Sequence, residues 1–452
     1  MNIKNFFIAG NVLICFTAAA QNKHVLVSGP WAGNIELRNA TIWAAVSAEV
    51  KTVAVKISNN NATERIIKYK NELGNEFNAV KIELNELKPN TLYTYTLVLN
   101  GKDVTLPYKT QFITKDLWQY RKPAPDFNFI AGSCSYFNEP EFDRPGKPYG
   151  MDSSIFITMA NTPAAFNLWL GDSWYTREVD YYSTWGLKNR VSRDRSMKVV
   201  QKLLAAMSQY YLWDDHDFGP NNSGKSYILK AESRNIFKEY TLNPTYGEEG
   251  KGIYTTISYS DVDLFLTDNR YFRSEVSLTD SVNGKPNMAK TYFGNQQMDW
   301  LKNALLYSKA TFKIIATGGQ VLNPVSTFEC MRYYSFEYND LLSFLAGHKI
   351  SGVIFLSGDR HHSEIIKLER PGLYPLYDVT ISPLTATVST VKDAELVNNA
   401  RVPGTLVEAQ NFGNISVTGN KNARILKVLY TGIRGEKLGE WSVSENELRS
   451  EK

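Results

Sequence analysis

The chain has little cysteine, little histidine and little net charge. Its 452 residues include 3 Cys and 5 His, and 50 basic against 46 acidic side chains leave a formal charge of +4. No run of Lys and Arg of the kind that follows a nucleic-acid backbone occurs. Cys134 and Cys330 do not form a spaced disulfide framework. We therefore expect neither a disulfide-stabilised scaffold nor a nucleic-acid partner.

Long apolar runs are also missing after residue 20. No stretch in that part of the sequence approaches the roughly 20 apolar residues that a membrane span needs. Residues 1–20 themselves have a basic head at Lys4, an apolar stretch through Phe16 and small residues before Gln21, which predicts a secretory signal peptide. A lipid anchor on Cys15 is the alternative, but Ile14 stands where that processing needs a small residue. We expect export to the periplasm or the extracellular space, with cell-surface or cell-wall association left open.

The first domain after the signal is predicted over residues 21–118. The composition, 43% hydrophobic and 21% charged, is typical of a packed globular protein, and the length predicts two domains. Short runs such as Thr41–Val46 and Val53–Ile57 alternate apolar with polar positions, which predicts antiparallel strands. The segment Leu87–Tyr95 resembles a strand start in fibronectin type III and immunoglobulin-like modules, where a Tyr packs across the corner between two sheets. We expect an all-β immunoglobulin/fibronectin-like sandwich.

Around Pro123 and Pro125 the pattern changes, and residues 119–452 alternate strands with helices. The second domain is therefore predicted as α/β, with mixed sheets flanked by helices. Apolar runs predict strands at Phe127–Ala131, Phe166–Leu170, Tyr210–Trp213, Leu264–Thr267, Phe312–Ala316 and Val353–Leu356, and helical periodicity covers Asn295–Tyr307 and Phe336–Leu345. Further runs at Ile415–Val417 and Leu426–Tyr430 predict strands that complete a sheet at its edge.

Clusters of metal-binding residue types follow several of these strands. They are Gly132–Ser135, Gly171–Tyr175, Trp213–Asp217 with Asn221 and Asn222 close behind, and Gly358–His362. Strand carboxyl ends are where a ligand crevice forms in α/β folds, so this position has a geometric reason. A single Gly-Asp after a strand is usually only a turn. The set carries more weight, because three of the 5 His fall inside it and neighbouring acids need a cation or hydrogen bonds to offset their repulsion.

In order and spacing these clusters resemble the metallophosphoesterase superfamily, and more closely its alkaline phosphatase D (PhoD-like) family. The shared motifs are a Gly-Ser-Cys opening, Gly-Asp-x-x-Tyr, Trp-Asp-Asp-His-Asp with a following Asn, the block Asp268–Arg273, and Gly-Asp-x-His. An N-terminal immunoglobulin-like domain and an export signal fit the same family. The resemblance extends over nearly the whole chain and implies a metal-dependent phosphoesterase.

The resemblance also implies a set of metal ligands: Cys134, Asp172, Tyr175, Asp215, Asn221, Asp359 and His361. The first three would bind a ferric ion, with Asp172 bridging to a second metal and Asp359 as a further ligand. The remaining three would be shared among calcium ions. Thiolate and phenolate stabilise Fe(III), whereas carboxylate and amide oxygens suit Ca(II), so Fe(III) and Ca(II) are the expected cofactors, and other divalent ions are the alternative.

The implied reaction is hydrolysis of a phosphate ester by a metal-activated water, which needs no protein nucleophile. His216 is the predicted catalytic residue, near the leaving oxygen, and the alternative is a His that only supports a ligand by hydrogen bonding. Arg270 could bind phosphate through its fork of N–H groups or form a salt bridge with Asp268.

Further residues near the motifs have open roles. Gln320 and Asn323 stand where the superfamily carries another His ligand, which leaves one coordination position unassigned. His362 and Glu364 could orient the ligands, and Cys330 is expected in the core.

Two other functions remain in competition with the phosphoesterase. One is a catalytically silent, metal-stabilised protein that binds a cell surface through its sandwich domain. The other is a metal-dependent hydrolase of a different ester. An intact set of carboxylates favours catalysis, while the choice between monoesters and diesters depends on the width of the pocket, which short motifs do not encode.

Overall fold

The computed structural model describes residues 25–59, 64–325 and 329–450. The predicted signal peptide and Cys15 lie outside these ranges. Among the residues described, no helix is long and apolar enough to cross a membrane.

The N-terminal region is a β-sandwich of two sheets, as predicted. The first sheet contains β1 (Leu26–Gly33), β2 (Ala40–Val46) and β5 (Asn78–Leu84); the second contains β3 (Val53–Ser58), β4 (Arg65–Lys68), β6 (Leu92–Leu99), β7 (Lys102–Asp103) and β8 (Gln111–Ile113). Apolar residues of both sheets share one buried core. The Lys88 backbone N–H donates to the Tyr93 hydroxyl over 2.9 Å. This bond lies at the corner that the sequence pattern indicated, and the immunoglobulin/fibronectin likeness stays a prediction.

The larger region has strands β9 (Phe127–Gly132), β10 (Phe166–Leu170), β11 (Ser208–Leu212), β12 (Thr255–Tyr259), β13 (Val262–Leu266), β14 (Ser281–Val282), β15 (Lys285–Pro286), β16 (Phe312–Thr317), β17 (Val353–Ser357), β18 (Glu364–Arg370), β19 (Leu373–Thr380), β20 (Asn411–Thr418), β21 (Ile425–Gly432) and β22 (Lys437–Ser444). Its helices are α1 (Ile155–Asn161), α2 (Thr184–Ser196), α3 (Lys198–Ala206), α4 (Asp215–Phe218), α5 (Lys230–Tyr240), α6 (Asn295–Tyr307) and α7 (Ser335–Gly347).

Two 6-stranded mixed sheets share a single apolar core in this region, which confirms the α/β prediction. One sheet runs β11-β10-β9-β20-β21-β22, with β9, β10 and β11 parallel and the C-terminal strands added antiparallel. The other runs β12-β13-β16-β17-β19-β18, with β13, β16, β17 and β19 parallel. Strands such as β10, β16 and β17 are buried along their whole length, as parallel strands covered on both faces are.

Most of the predicted strands and helices are present, and where their bounds differ from the prediction they differ by a few residues. The strand Phe166–Leu170 and the helix Asn295–Tyr307 have the predicted bounds. The prediction that a strand runs to Trp213 is wrong, because β11 ends at Leu212 and the Trp213 indole N–H instead donates to Asp268 over 2.8 Å. The sheet completed at its edge by C-terminal strands is confirmed, and β22 was not predicted.

The first sandwich sheet packs directly on the larger region. Trp31 and Trp43 lie on neighbouring strands with ring centroids 5.7 Å apart, and they contact Tyr211 and Tyr240 at 6.3 and 5.7 Å. The Trp43 indole also donates to the Glu239 carbonyl over 2.9 Å. This sheet is therefore buried on both faces along β2, every residue of which is buried, whereas β5 alternates buried with more exposed positions. The sandwich shares its packing with the domain that carries the strand-end motifs.

Candidate metal centre

The loops that follow the parallel strands of the two sheets meet at one place. Gly171 has a φ of +88°, and a Cβ there would lie 2.7 Å from the Asp214 Cβ, so the loops after β10 and β11 can approach only through a glycine. A Cβ on Gly358 would lie 2.5 Å from the Leu170 carbonyl oxygen, which brings the loop after β17 against β10. The strand-end clusters recognised in the sequence are thus brought together across both sheets.

The predicted iron ligands form a buried triad. The Tyr175 hydroxyl donates to Asp172 Oδ2 over 3.1 Å, and Cys134 Sγ lies 3.7 Å from the same oxygen. The Ser382 hydroxyl donates to Cys134 Sγ over 3.3 Å. Cys134 and Cys330 are both free thiols, which confirms that the two do not pair. The arrangement offers a thiol, a phenol and a carboxylate to one point.

Four of the predicted ligands have strained backbones. Cys134, Asp172, Asp359 and His361 have φ values of 61°, 51°, 68° and 58°, in the left-handed region that side chains with a Cβ rarely occupy. Such a conformation costs about 1–3 kcal/mol per residue and persists where the surrounding structure enforces it. Each of these residues directly follows a strand or lies in the turn after it, and the unusual φ aims its side chain at the shared centre.

His361 is held in one orientation by its surroundings. Its Nδ1 lies 2.7 Å from the Thr387 carbonyl oxygen, and because a carbonyl only accepts, Nδ1 carries the proton. Nε2 then keeps a lone pair and lies 3.4 Å from the Tyr175 hydroxyl. Burial lowers the pKa of His361 to about 4, so the ring is neutral at neutral pH. A neutral imidazole with a free Nε2 is the form that binds a metal.

Asp215 and His216 adjoin the triad. Ligand atoms of Asp172, Asp215 and His216 lie within 4.8 Å of one another, a spacing that one ion could bridge. The His216 ring stacks on Tyr175 at 4.2 Å, and its backbone N–H donates to Asp172 Oδ1 over 3.2 Å. His216 therefore lies where it could bind a metal as well as where it could contact a leaving group. Asn221 is exposed and lines the same cavity.

The acids of the centre differ in their electrostatic surroundings. Burial, followed by the charges of Asp215 and Asp214, raises the pKa of Asp172 well above its usual range. Burial, with Asp214 adding to it, raises the pKa of Asp359 to about 8. Burial also raises the pKa of the Cys134 thiol. A bound cation would reverse these shifts and hold the groups ionised, so the donor set fits a metal. We call these residues, with Tyr175, the Cys134 side.

The pKa of Asp215 is shifted in the opposite direction. Burial raises it, but His216, Arg270 and the Asn222 backbone N–H, which donates to Oδ2 over 2.8 Å, together lower it below its usual range. Arg270 Nη2 lies 3.5 Å from Asp215 Oδ1. We call Asp214, Asp215, Arg270 and Glu329 the Arg270 side. Here the protein supplies its own positive charge.

The alternative that Arg270 pairs with Asp268 is wrong. Arg270 Nε donates to Asp214 Oδ1 over 2.5 Å, and Nη2 lies 2.5 Å from Glu329 Oε2. Asp268 instead accepts from the backbone N–H groups of Arg270 and Tyr271, each over 2.9 Å. The short separation in the sequence suggested a salt bridge between Asp268 and Arg270. In the turn after β13, however, the Asp268 carboxylate faces backbone N–H groups instead of the guanidinium.

The residues that stand in place of the superfamily's extra His form a separate network. The Gln320 amide donates to Glu364 Oε1 over 2.9 Å, and the Asn323 amide donates to the same oxygen over 3.2 Å. Arg401 binds the other Glu364 oxygen over 2.7 Å, and His362 Nε2 lies 3.6 Å from Oε1. Both amides are thus engaged with Glu364. Cys330, as predicted, is buried.

The strand-end residues line a cavity of about 790 Å³ that also contains residues the sequence did not single out. Tyr149 lies with its ring 5.7 Å from that of His361, and Glu329 accepts from Arg270 and Arg273. Residues 388–395 form another wall, which is held by a bond of 2.9 Å from the Ser389 N–H to the His361 carbonyl. None of these stands in a motif or follows a predicted strand, so no sequence signal pointed to them.

The chain is similar to known phosphatases in sequence and in fold. The PhoD-like phosphatase family matches residues 129–424. The solved structure of PhoD is similar with a TM-score of 0.74 and 15% identity, covering 94% of this chain and 91% of that one. The purple acid phosphatase PPD1 from yellow lupin (Lupinus luteus) seeds gives a TM-score of 0.63 and 11% identity, covering 92% and 74%. At these identities the likeness shows the fold.

No curated protein matches the chain. The family match covers well over half of the sequence, and residues from three of the motifs line one cavity that contains the buried acids Asp172 and Asp215. The chain belongs to the PhoD-like phosphatase family of metal-dependent phosphoesterases.

Proposed function

We propose that the protein is exported and hydrolyses phosphate mono- or diesters with an activated water, using Fe(III) and Ca(II) at the cavity of the candidate metal centre. The observation that carries this proposal is the burial of Asp172 beside Asp215, with their oxygens and a His216 nitrogen within 4.8 Å of one another. Like charges this close in a buried site need a cation. Export rests on residues 1–20, which lie outside the described ranges.

The donor types support the choice of metals. Cys134 and Tyr175 would supply a thiolate and a phenolate to Fe(III), and Asp215 and Asn221 would supply the oxygen ligands that Ca(II) prefers. Asp172 is suited to lie between the two ions, because its Oδ2 faces Tyr175 while its Oδ1 faces the His216 backbone N–H. When bound, such metals neutralise phosphate charge and lower the pKa of water towards neutrality.

His216 would contact the leaving oxygen in this proposal. Burial lowers the pKa of His216, although Asp215 raises it in part. The imidazole is therefore neutral at neutral pH, and its N–H would stabilise the charge that develops on the leaving oxygen. His216→Asn separates this role from metal binding. Unchanged metal content with a lower kcat would support the leaving-group contact, and loss of a metal would assign His216 as a ligand.

The substrate is proposed only as a phosphate ester. The cavity of about 790 Å³ is larger than a phosphate group needs, so part of the alcohol of the ester would also enter it. Both monoesters and diesters fit this description. The surface-binding and alternative-ester functions considered above have no observation in the structure that favours them over phosphate hydrolysis.

Two measurements on the purified mature protein test the proposal. One is metal analysis, and the other is hydrolysis of p-nitrophenyl phosphate and bis-p-nitrophenyl phosphate with and without added calcium. Iron and calcium with turnover of either ester would support it and identify the ester class. A metal-loaded protein that hydrolyses neither ester would favour a surface-binding role, and turnover of a sulfate ester or a lactone alone would favour the other hydrolase.

A further inference from the structure

Arg270 lies at the centre of a buried group of charged side chains beside the cavity. Its Nε donates to Asp214 Oδ1 over 2.5 Å, and its Nη2 lies 2.5 Å from Glu329 Oε2 and 3.5 Å from Asp215 Oδ1. Its Nη1 donates to the Ser223 carbonyl over 3.4 Å. The residue is 0% exposed. Each guanidinium nitrogen contacts a protein group and the side chain is fully buried, which favours a role towards protein groups over direct binding of a substrate phosphate.

The carboxylates around Arg270 do not depend on it equally. Glu329 has a second cation, because Arg273 Nη1 donates to its Oε2 over 2.7 Å. Within the described ranges of the chain, no other Lys or Arg forms an ion pair with Asp214 or Asp215. Asp214 and Asp215 therefore share a single guanidinium. It lies 2.5 Å from Asp214 and 3.5 Å from Asp215.

This difference separates the roles of the two acids. Asp214 uses its Oδ1 on Arg270 and on the Asn269 amide, which donates over 2.8 Å, and it is 1% exposed. Asp215 lines the cavity, and its Oδ2 accepts the Asn222 backbone N–H over 2.8 Å and lies 3.9 Å from His216 Nε2. Through the Ser223 carbonyl, Arg270 also contacts the loop that carries Asn222. The same guanidinium thus fixes the acid and the loop that border one half of the cavity.

We propose that Arg270 is a positioning residue for the divalent ion on the Arg270 side, where it selects Asp215 rather than Asp214 as the available ligand. This inference rests on the proposed function. Without Arg270, two adjacent buried carboxylates would repel each other and separate, and the loop after α4 would lose a contact. The Cys134 side has no contact with Arg270 and would keep its metal.

Two variants of the full chain test the proposal. Arg270→Met removes the charge and keeps most of the volume of the side chain. Arg270→Lys keeps the charge and loses the forked N–H groups of the guanidinium. Calcium binding to the iron-loaded protein would be measured by calorimetry, and iron by metal analysis and its visible absorption band. We expect at least about 10-fold weaker calcium binding in Arg270→Met, as for other residues that orient metal ligands, with unchanged iron, and a smaller loss in Arg270→Lys.

Arg424→Met is the matched control. Arg424 is 1% exposed and joins two acids, Asp126 at 2.5 Å and Asp261 at 2.9 Å, but does not line the cavity. This variant should lose thermal stability and keep its calcium affinity within about 2-fold.

Three results would overturn the inference. Arg270→Met could lose stability with no change in calcium affinity, which would make the role structural. It could bind calcium more tightly, which would make Arg270 a competing charge. It could keep both metals but lose inhibition by inorganic phosphate, which would make Arg270 a phosphate ligand. A wild-type protein that binds no divalent ion and hydrolyses neither test ester would instead refute the proposed function.

Discussion

Asp172 and Asp215 face the same cavity, and their ligand atoms lie within 4.8 Å of each other. Their surroundings nevertheless shift the pKa values of the two carboxyl groups in opposite directions. On the Cys134 side, burial and neighbouring acids raise the pKa of Asp172. On the Arg270 side, His216, Arg270 and a backbone N–H outweigh burial and lower the pKa of Asp215. The comparison indicates that the Cys134 side needs a cation from outside, whereas the Arg270 side is partly neutralised by the fold.

The largest effect is expected from Asp172→Asn, because Asp172 contacts both sides. The amide keeps the shape but loses the charge that would join two metals. We expect at least about a 10²-fold loss of kcat, the size seen when one electrostatic group is removed from an active site, together with reduced iron content. Turnover assays and metal analysis would measure this. Asp126→Asn, on an acid that is 58% exposed, is the control, and equal turnover in both variants would contradict the assignment.

Cys134→Ser should affect only the Cys134 side. A hydroxyl in place of the thiol is a poor ferric ligand, so iron affinity should fall by at least about 10- to 100-fold and the visible charge-transfer band should disappear. Calcium affinity should change far less. Absorption spectra and calorimetry would test this. A colourless wild-type protein with full activity would refute the iron assignment.

The metal-free protein should lose stability as the pH rises above about 6.5. Asp359 has a pKa of about 8 when folded, against about 3.9 in an unfolded chain, so the folded state binds the extra proton between these values. The contribution of Asp359 to stability then falls as the pH rises from about 4 to 8, by up to about 1.4 kcal/mol per pH unit. His361, with a pKa of about 4 when folded against about 6.5 when unfolded, opposes this fall below about pH 6.5, so the net loss is expected above that pH. Thermal melts of the chelator-treated protein would show it.

Asp359→Asn is the control for this pH dependence, because it removes the titrating group. The melting temperature of the variant should change less across this range than that of the wild type. Added metal should also flatten the wild-type curve, since a cation favours the ionised carboxylate. A metal-free wild type whose stability rises between about pH 6.5 and 8 would contradict the raised pKa of Asp359.

Glu329→Gln should have the smallest effect on the Cys134 side. Glu329 touches Arg270 and Arg273 and neither Cys134 nor Tyr175. We expect an unchanged iron band, a loss of activity below about 10-fold, and a loss of stability of about 3–5 kcal/mol, because two buried guanidinium groups lose their shared charge partner. Spectra, assays and denaturant melts would separate these effects. A lost iron band would show that the two sides are not independent.

Much of the fold was predictable from local pattern. Runs such as Phe166–Leu170 are apolar throughout because parallel strands are covered on both faces, and the helix Asn295–Tyr307 carries a clear period. The burial of every residue of β2 was not predictable, because Trp43 packs on Tyr240, a residue far along the chain. Likewise the partner of Arg270 was missed, because Asp214 and Glu329 are distant in sequence.

The sequence by itself determined which residue types stand at the strand ends, and hence the family and the class of chemistry, because a Cys, a Tyr and several Asp after parallel strands have few other uses. Only the tertiary structure decided which acids face a built-in cation and which require a metal. That distinction depends on burial and on charges from distant segments, as with Arg270 beside Asp215, and neither quantity is a local property of the chain.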